Sequence, residues 1–470
     1  MQQMILNFTE EKKLSLQENW GEGSYLDRLN RCLVGDLNFQ DNSTDFHPAH
    51  KIHSFPAKFP PQLPRKFILA LTQPGDIVLD TMVGSGTSLF EAYLLGRKAI
   101  GVDIDPLAIL LSKVKERNYS VTSLHTIAGQ ILTNALNAIS SSPEMVFSSR
   151  SKIFDIKTCD FLDYWFSKDV QVELLALLSE INKIEDHSIS DFFKLVFSSV
   201  IITKTGGVSL AIDLAHTRPH RARTIFSKDG QLILGEDNDS ENKKHLTKKL
   251  RSPLAEFKKK YESNIKGVLN YSPNNAFPIL SYGNAQALPI ETNSVDLIVT
   301  SPPYASNAID YMRAHKFSLV WFGYPIGELT QKRKTYIGSE GTYNGCSVEL
   351  PDNVEHVIAR VNKKSKTKSV SLHRYYSEMS LALDEMYRVL KPGKASVVVV
   401  GNSTLAGEDA KVEECLIAIG KKSGFEIPKV GIRQLDRNRR MLPAGTNRDA
   451  TSQIQQRMHE EYVIGFYKPE

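Results

Sequence analysis

The chain has 470 residues, of which 41% are hydrophobic and 24% charged, the balance of a soluble globular protein with one large core bearing insertions, or with two domains. No apolar run approaches the ~20 residues that span a bilayer, and Met1-Gln-Gln-Met-Ile-Leu lacks the basic start and long apolar stretch of a signal peptide, which predicts a cytoplasmic protein. Cys32, Cys159, Cys346 and Cys415 are scattered without paired spacing, which supports neither a disulfide framework nor a zinc site, and the net charge of +5 only mildly favours a polyanionic partner.

Residues 1–45 contain no dependable periodic element, and no internal repeat is found. His47 to Pro61 is a proline-bracketed aromatic loop leading into an apolar helix that runs to about Thr72. Asp76 to Asp80 reads as a buried strand, Thr81-Met-Val-Gly84-Ser85-Gly86-Thr87 as a glycine turn, and Ser88 to Leu95 as a helix ending at Gly96. Lys98 to Asp103 is the next strand and ends in a carboxylate. Strand, glycine turn, helix, strand and acid make the layout of a nucleoside site at the carboxyl edge of a doubly wound sheet. Glycine admits the ligand close to the backbone, and Asp103 can accept hydrogen bonds from ribose hydroxyls. The third glycine of the dinucleotide fingerprint is missing. Asp105, immediately before Pro106, reads better as a helix cap than as a ligand.

From about Asn118 to Ser272 the strand–helix rhythm lapses. Leu124 to Ile139, Val170 to Ile184 and Asp191 to Thr203 are predicted helices, and Lys243 to Leu269 a pair of basic helices broken near Pro253. This mostly helical insertion carries the basic segment His216 to Arg223, and two roles stay open for it: reading DNA, or buttressing the sheet.

The sheet resumes at Phe277 to Ala285 and continues in Ser294-Val-Asp-Leu-Ile-Val-Thr-Ser301-Pro302-Pro303-Tyr304, an apolar β-branched strand of the kind buried on both faces. The prolines end it, because they have no N–H for the ladder and hold the chain away from helix. Carbonyls of Ser301 and Pro302 are then left at the sheet edge beside an aromatic face, a setting suited to a planar base with an exocyclic amine. Asn307 to Gly323 follows as a loop and an aromatic helix in which Trp321 and Phe322 pack, and 324–372 reads as a polar, basic excursion outside the core. A helix Tyr375 to Leu390, a turn Lys391-Pro-Gly393 and a buried strand Ala395 to Val400 restore the alternation. Phe425 to Val430 and Glu461 to Tyr467 are the expected closing antiparallel pair. Basic runs at His216 to Arg223, Lys243 to Lys260, Gln331 to Lys334, Arg360 to Lys368 and Arg437 to Arg440 make a phosphate-binding rim if they gather around one site.

Two of these stretches resemble a known family. Asp80-Thr-Met-Val-Gly84-Ser-Gly86-Thr87 is similar to the S-adenosylmethionine loop of the prokaryotic DNA amino-methyltransferases, and Ser301-Pro-Pro-Tyr304 to their catalytic motif. The resemblance implies an α/β, doubly wound Rossmann-like sheet with a helical insertion, S-adenosylmethionine as cofactor, and double-stranded DNA as substrate. It also implies a cognate restriction endonuclease or defence-system component as partner. In such proteins a Phe-Pro-Ala-Lys-Phe-like segment touches the methionine part of the cofactor, which points to Phe55, Lys58 and Phe59; for Lys58 a plain lead into the helix is an equal reading. The strand end that holds the cofactor adenine with an acid carries Asn284 here, an uncharged acceptor. Asp310, Tyr311 and His315 fall where the family shapes its base pocket. Ser in first place of the catalytic motif favours cytosine N4 over adenine N6 and leaves both open.

The expected organisation is an N-terminal extension over 1–46, a cofactor-binding half over 47–117, the insertion over 118–276, and a catalytic half over 277–470 that includes the 324–372 excursion. The expected chemistry needs no metal. Acceptors at Ser301 and Pro302 bind the amine hydrogens and favour a tetrahedral nitrogen, Tyr304 stacks on a base flipped from the duplex, and the proton leaves during or after attack. An RNA amino-methyltransferase, a non-catalytic DNA-binding protein on the same scaffold and a nicotinamide oxidoreductase are the alternatives, the last leaving the Pro-Pro-Tyr strand end without a job.

Overall fold

The computed structural model describes residues 22–39, 46–56, 58, 60–214, 220–235, 246–268, 277–305, 310–339, 348–435 and 460–470. Phe59, Cys346, His216 to Pro219, Lys243 to His245 and Arg437 to Arg440 lie outside them.

A seven-stranded sheet is the frame. Its strands are β1 (Ile77–Asp80), β2 (Lys98–Asp103), β3 (Ile279–Tyr282), β4 (Val295–Thr300), β5 (Leu390–Gly401), β6 (Val430–Gln434) and β7 (Glu460–Tyr467). They lie in the order β3-β2-β1-β4-β5-β7-β6. The first five run parallel, and β7 is antiparallel to both β5 and β6. From β1 the chain builds outward to β2 and β3 on one side and to β4 and β5 on the other, so the switch point of this doubly wound sheet lies between β1 and β4. Every residue of β4 is buried, as a strand covered on both faces requires.

Alternate side chains feed two covers. Val78, Leu297, Val299 and Val397 face a layer containing helix α1 (Tyr25–Val34), helix α2 (Gln62–Leu71) and helix α3 (Thr87–Leu94). Leu79, Ile298, Val398 and Val400 face the opposite layer. A third cluster joins helix α4 (Pro106–Glu116) to the insertion helices α5 (Val121–Ser141), α6 (Lys168–Ile181), α7 (His187–Ile201) and α8 (Pro253–Asn264), and to α9 (Tyr311–Leu319), where Trp321 is buried. No helix among the described residues is long and apolar enough to cross a membrane.

Several elements differ from the sequence reading. The stretch before residue 46 contains α1, whose start is a capping box: Ser24 Oγ accepts from Asp27 N–H at 3.1 Å and Asp27 Oδ2 from Ser24 N–H at 3.0 Å. Leu29 and Leu33 of α1 pack on Gly465, and Leu33 and Leu37 on Gly431, where any side chain would collide with them. The residues before Pro253 include a strand, Thr247–Lys249, paired with Thr224–Phe226, in place of a helix. Beyond residue 350, helices α10 (Asp352–Lys364) and α11 (Lys366–Val389) cover the sheet's second face. Val354, Val357, Ile358 and Val361 bury a helical stripe inside a polar sequence, so this stretch belongs to the core. The Lys391-Pro-Gly393 turn lies inside β5 as an irregularity between Leu390 and Ala395. Finally, β6 starts at Val430, past Pro428, and Phe425 to Ile427 contributes only the bridge from Glu426 to Tyr467.

Candidate active site

The two motif-bearing strands end side by side at the switch point. Thr300, last in β4, donates to Asp80 Oδ1, last in β1, at 2.7 Å, and both side chains are buried. Past Asp80 the chain turns through Gly84 and Gly86 with φ of +51° and +73°, the left-handed region that favours glycine. A Cβ on Gly86 would lie 2.5 Å from Ser112 Oγ of α4. Thr87 begins α3 and its hydroxyl bonds Ser85 Oγ at 2.9 Å, closing the turn from inside.

Asp103, at the end of β2, braces that turn. Its Oδ2 accepts the Gly84 N–H at 2.7 Å and its Oδ1 the Asp105 N–H at 2.8 Å. Burial, with the Asp105 charge adding to it, pushes the Asp103 carboxyl up to about 7, and burial pushes Asp80 up to about 6. Asp105 caps α4 through Leu107 N–H at 2.8 Å, as its position before Pro106 predicts, and its other oxygen bonds His315 Nδ1 at 2.6 Å. Burial acts to raise Asp105, but the His315 ring and the cap hydrogen bond outweigh it and hold the carboxyl below its usual range.

A cleft runs over these strand ends and is lined by residues from both motif-bearing stretches. Phe55, Gly84, Asp103, Asn284, Ser301 and Pro303 all line it. Phe55 is packed against Tyr311 and His315, with ring centroids 5.7 and 4.8 Å apart, so the loop before β1 and helix α9 build one aromatic wall. Asn284 turns its Oδ1 to the Gln286 N–H at 3.0 Å, leaving one lone pair for a ligand. Lys58 is not among the lining residues; its ammonium donates to the carbonyls of His50 at 3.0 Å and His53 at 2.6 Å, folding its own loop.

A further stretch of the wall was invisible to motif reading. Thr335, Tyr336 and Ile337 line the cleft although they lie in the polar region beyond α9. A buried ion pair on α11 holds them there. Arg374 Nε bonds Glu378 Oε1 at 2.8 Å, Arg374 also donates to the carbonyls of Ser339 and Lys334, and Glu378 Oε2 accepts the Gly338 N–H at 2.8 Å. Asp310 caps α9 and takes Arg313 Nε at 2.9 Å and Arg333 Nε at 2.5 Å, so Arg333, a cation of the expected rim, is paired within the protein.

Pro302 is buried, and Tyr304 is not among the cleft's lining residues; its hydroxyl donates to Glu461 Oε1 on β7 at 2.8 Å. Sequence reasoning missed Glu461, which stands on a strand with no motif. Its only signal was a pair of carboxylates, Glu460 and Glu461, opening an otherwise apolar and aromatic run.

These features fit S-adenosylmethionine. Glycine at 84 leaves a side-chain-free floor opposite Phe55, whose ring a Cβ there would approach to 3.6 Å. An acid at 103 and an amide at 284 stand at the ends of neighbouring strands and both line the cleft. The family model N6_N4_Mtase, described as DNA methylase, matches residues 2–113. Among curated relatives, Type II methyltransferase M.MvaI of Kocuria varians is 24% identical over 372 residues, 76% of this chain and 77% of that protein. M.AvaI of Nostoc sp. is 22% identical over 442 residues, 86% and 83% of the two chains. M.BsoBI of Geobacillus stearothermophilus is 22% identical over 396 residues, 76% and 74%. A family match across the glycine turn, relatives aligned over most of this chain and a sheet of this order make the chain similar to the prokaryotic DNA amino-methyltransferases, which take their methyl group from S-adenosylmethionine.

Proposed function

We propose that the chain is a site-specific methyltransferase of double-stranded DNA that modifies the exocyclic amine of a flipped base, cytosine N4 in the first place. The observation that carries this reading is the shared cleft: Ser301 and Pro303 of the Pro-Pro strand end line the same cavity as Gly84 and Asp103. S-adenosylmethionine supplies an electrophilic methyl on its sulfonium. The chain's own residues do the rest. Asp103 accepts ribose hydroxyls, Asn284 meets the adenine edge, and the turn at Asp80, Gly84, Gly86 and Thr87 brings backbone to the ligand. Phe55 lies against the methionine part, while Lys58 serves that contact by shaping the loop. The Ser301 side chain or carbonyl and the Pro302 carbonyl take the two amine hydrogens, which favours a pyramidal nitrogen whose lone pair is directed at the methyl. Tyr304 stacks on the base, whose extrusion costs a few kcal/mol. The proton leaves to water during or after attack, since a serine hydroxyl is too weak a base to take it first.

Cytosine is favoured by Ser301 in the first motif position. The insertion over 118–276, packed on α4 and α9 beside the cleft, is the element we assign to target recognition, and a cognate endonuclease is the expected partner of such an enzyme. The test is transfer of labelled methyl from S-adenosylmethionine to mixed-sequence duplex DNA and to total RNA, followed by nucleoside identification, with Tyr304→Ala as control. N4-methylcytosine in DNA, absent with the control, is the expected result. N6-methyladenine would change the base, label in RNA the substrate, and no label at all would overturn catalysis.

A further inference from the structure

We propose that Glu461 is a positioning residue for catalysis, holding Tyr304 by its hydroxyl so that the ring plane is set before a base arrives. The inference rests on the reading of Tyr304 as the stacking platform. Glu461 lies 157 residues from Tyr304 in the chain, and its Oε1 accepts the tyrosine O–H at 2.8 Å. Its Oε2 takes Arg433 NH1 at 2.5 Å. Glu461 and Arg433 are register partners across β7 and β6, and Glu461 faces Gly401 of β5 on its other side. The carboxylate is therefore fixed by two ladders and one cation, and it is only 8% exposed. Both of its oxygens are engaged in charge-assisted hydrogen bonds.

The need for such a tether follows from the chain around the tyrosine. Pro303 restricts the backbone before it, but two side-chain torsions remain free to swing the ring. A hydrogen bond at the far end of the ring, with the backbone at the near end, removes that freedom. A ring already held flat loses little entropy when a base stacks on it. Burial, reinforced by the Glu461 charge, holds the Tyr304 hydroxyl well above its usual pKa, so it stays a donor. Neither Glu461 nor Arg433 lines the cofactor cleft. Their effect should therefore fall on transfer and not on cofactor binding.

The test is a double-mutant cycle on the full chain, reading single-turnover methyl transfer to mixed-sequence duplex DNA beside the Kd for S-adenosylmethionine. Tyr304→Phe removes the hydroxyl without disturbing the sheet, and Glu461→Ala removes the acceptor. Each is expected to lower the transfer rate roughly tenfold, the scale of one hydrogen bond to a charged group. The double variant should lose about the same tenfold instead of about a hundredfold, because one contact is removed only once. Glu461→Gln, which keeps a carbonyl acceptor, should restore most of the rate, and cofactor Kd should stay within about twofold throughout. Full activity in Tyr304→Phe, or losses that multiply in the double variant, would overturn the proposal. Tyr304→Ala separates it from the reading beneath: if that variant transfers methyl normally, stacking itself fails, whereas if it is dead while Glu461→Ala is fully active, only the tether fails.

Discussion

Thr300 and Asp80 join the two halves of the site through one buried hydrogen bond of 2.7 Å, at the point where the sheet order reverses. The residue before Ser301 and the residue that opens the glycine turn are thus held at the same level. Replacing Thr300 by Val keeps the shape and removes the donor. With Met82 N–H, at 3.2 Å, Thr300 is what the Asp80 carboxyl leans on, so the variant should lose about 1–3 kcal/mol of unfolding free energy in urea. Methyl transfer should fall with it. Unchanged stability would mean that Asp80 finds another donor.

Cofactor binding should depend on pH through Asp103. Burial, with the Asp105 charge adding to it, pushes its carboxyl up to about 7 in the folded protein from an ordinary value of 3.8. The folded state therefore favours the protonated form, and the stability this contributes is fully present below about pH 4 and lost as pH rises through about 7. Asp80 acts in the same direction, its contribution fading through about 6. Ribose hydroxyls donating to Asp103 favour the ionised form, so cofactor affinity should rise between pH 6 and pH 8 and binding should release a proton. Calorimetry in two buffers of different ionisation enthalpy measures that proton. Asp103→Asn should abolish the release and weaken binding roughly tenfold or more, the scale of a hydrogen bond to a charged group.

The glycine turn has one position where a side chain is both strained and crowded. At Gly86 a Cβ meets Ser112 Oγ at 2.5 Å, and φ is +73°. Gly86→Ala should cost about 1–3 kcal/mol and lower cofactor affinity. Adding Ser112→Ala removes the nearest atom but not the backbone strain, and should recover part of the loss. Full recovery in the pair would show that contact alone matters. Thermal melts and cofactor titration on both variants decide it.

The Arg374–Glu378 pair should matter for cofactor binding although neither residue reaches the cleft. Arg374→Met leaves the buried Glu378 without its cation and the carbonyls of Lys334 and Ser339 without their donor, a loss on the order of 3–5 kcal/mol. Released from the clamp, the segment carrying Tyr336 and Ile337 should become open to trypsin at Arg333 and Lys334, with weaker cofactor binding. Wild-type affinity in that variant would remove this segment from the cofactor wall.

The linear sequence by itself determined the parts of the site that local chemistry dictates. Gly84, Gly86, Asp103 and Ser301-Pro-Pro-Tyr304 could be read because turns, strand ends and proline breaks depend on neighbouring residues, and apolar period separates strand from helix. The cap role of Asp105 was legible for the same reason. What only the tertiary structure decided are contacts between residues far apart in the chain. Tyr304 meets Glu461 because β7 inserts antiparallel between β5 and β6, and Tyr336 reaches the cleft because Arg374 and Glu378 hold its segment. Helix α1 does carry local signals, the Ser24–Asp27 capping box and a buried stripe of Leu29, Cys32 and Leu33, and what only the structure shows is that this stripe meets glycines more than 390 residues away. Such pairings leave no period or spacing in the sequence, since their energy comes from burial and hydrogen bonds that exist only once the sheet has assembled.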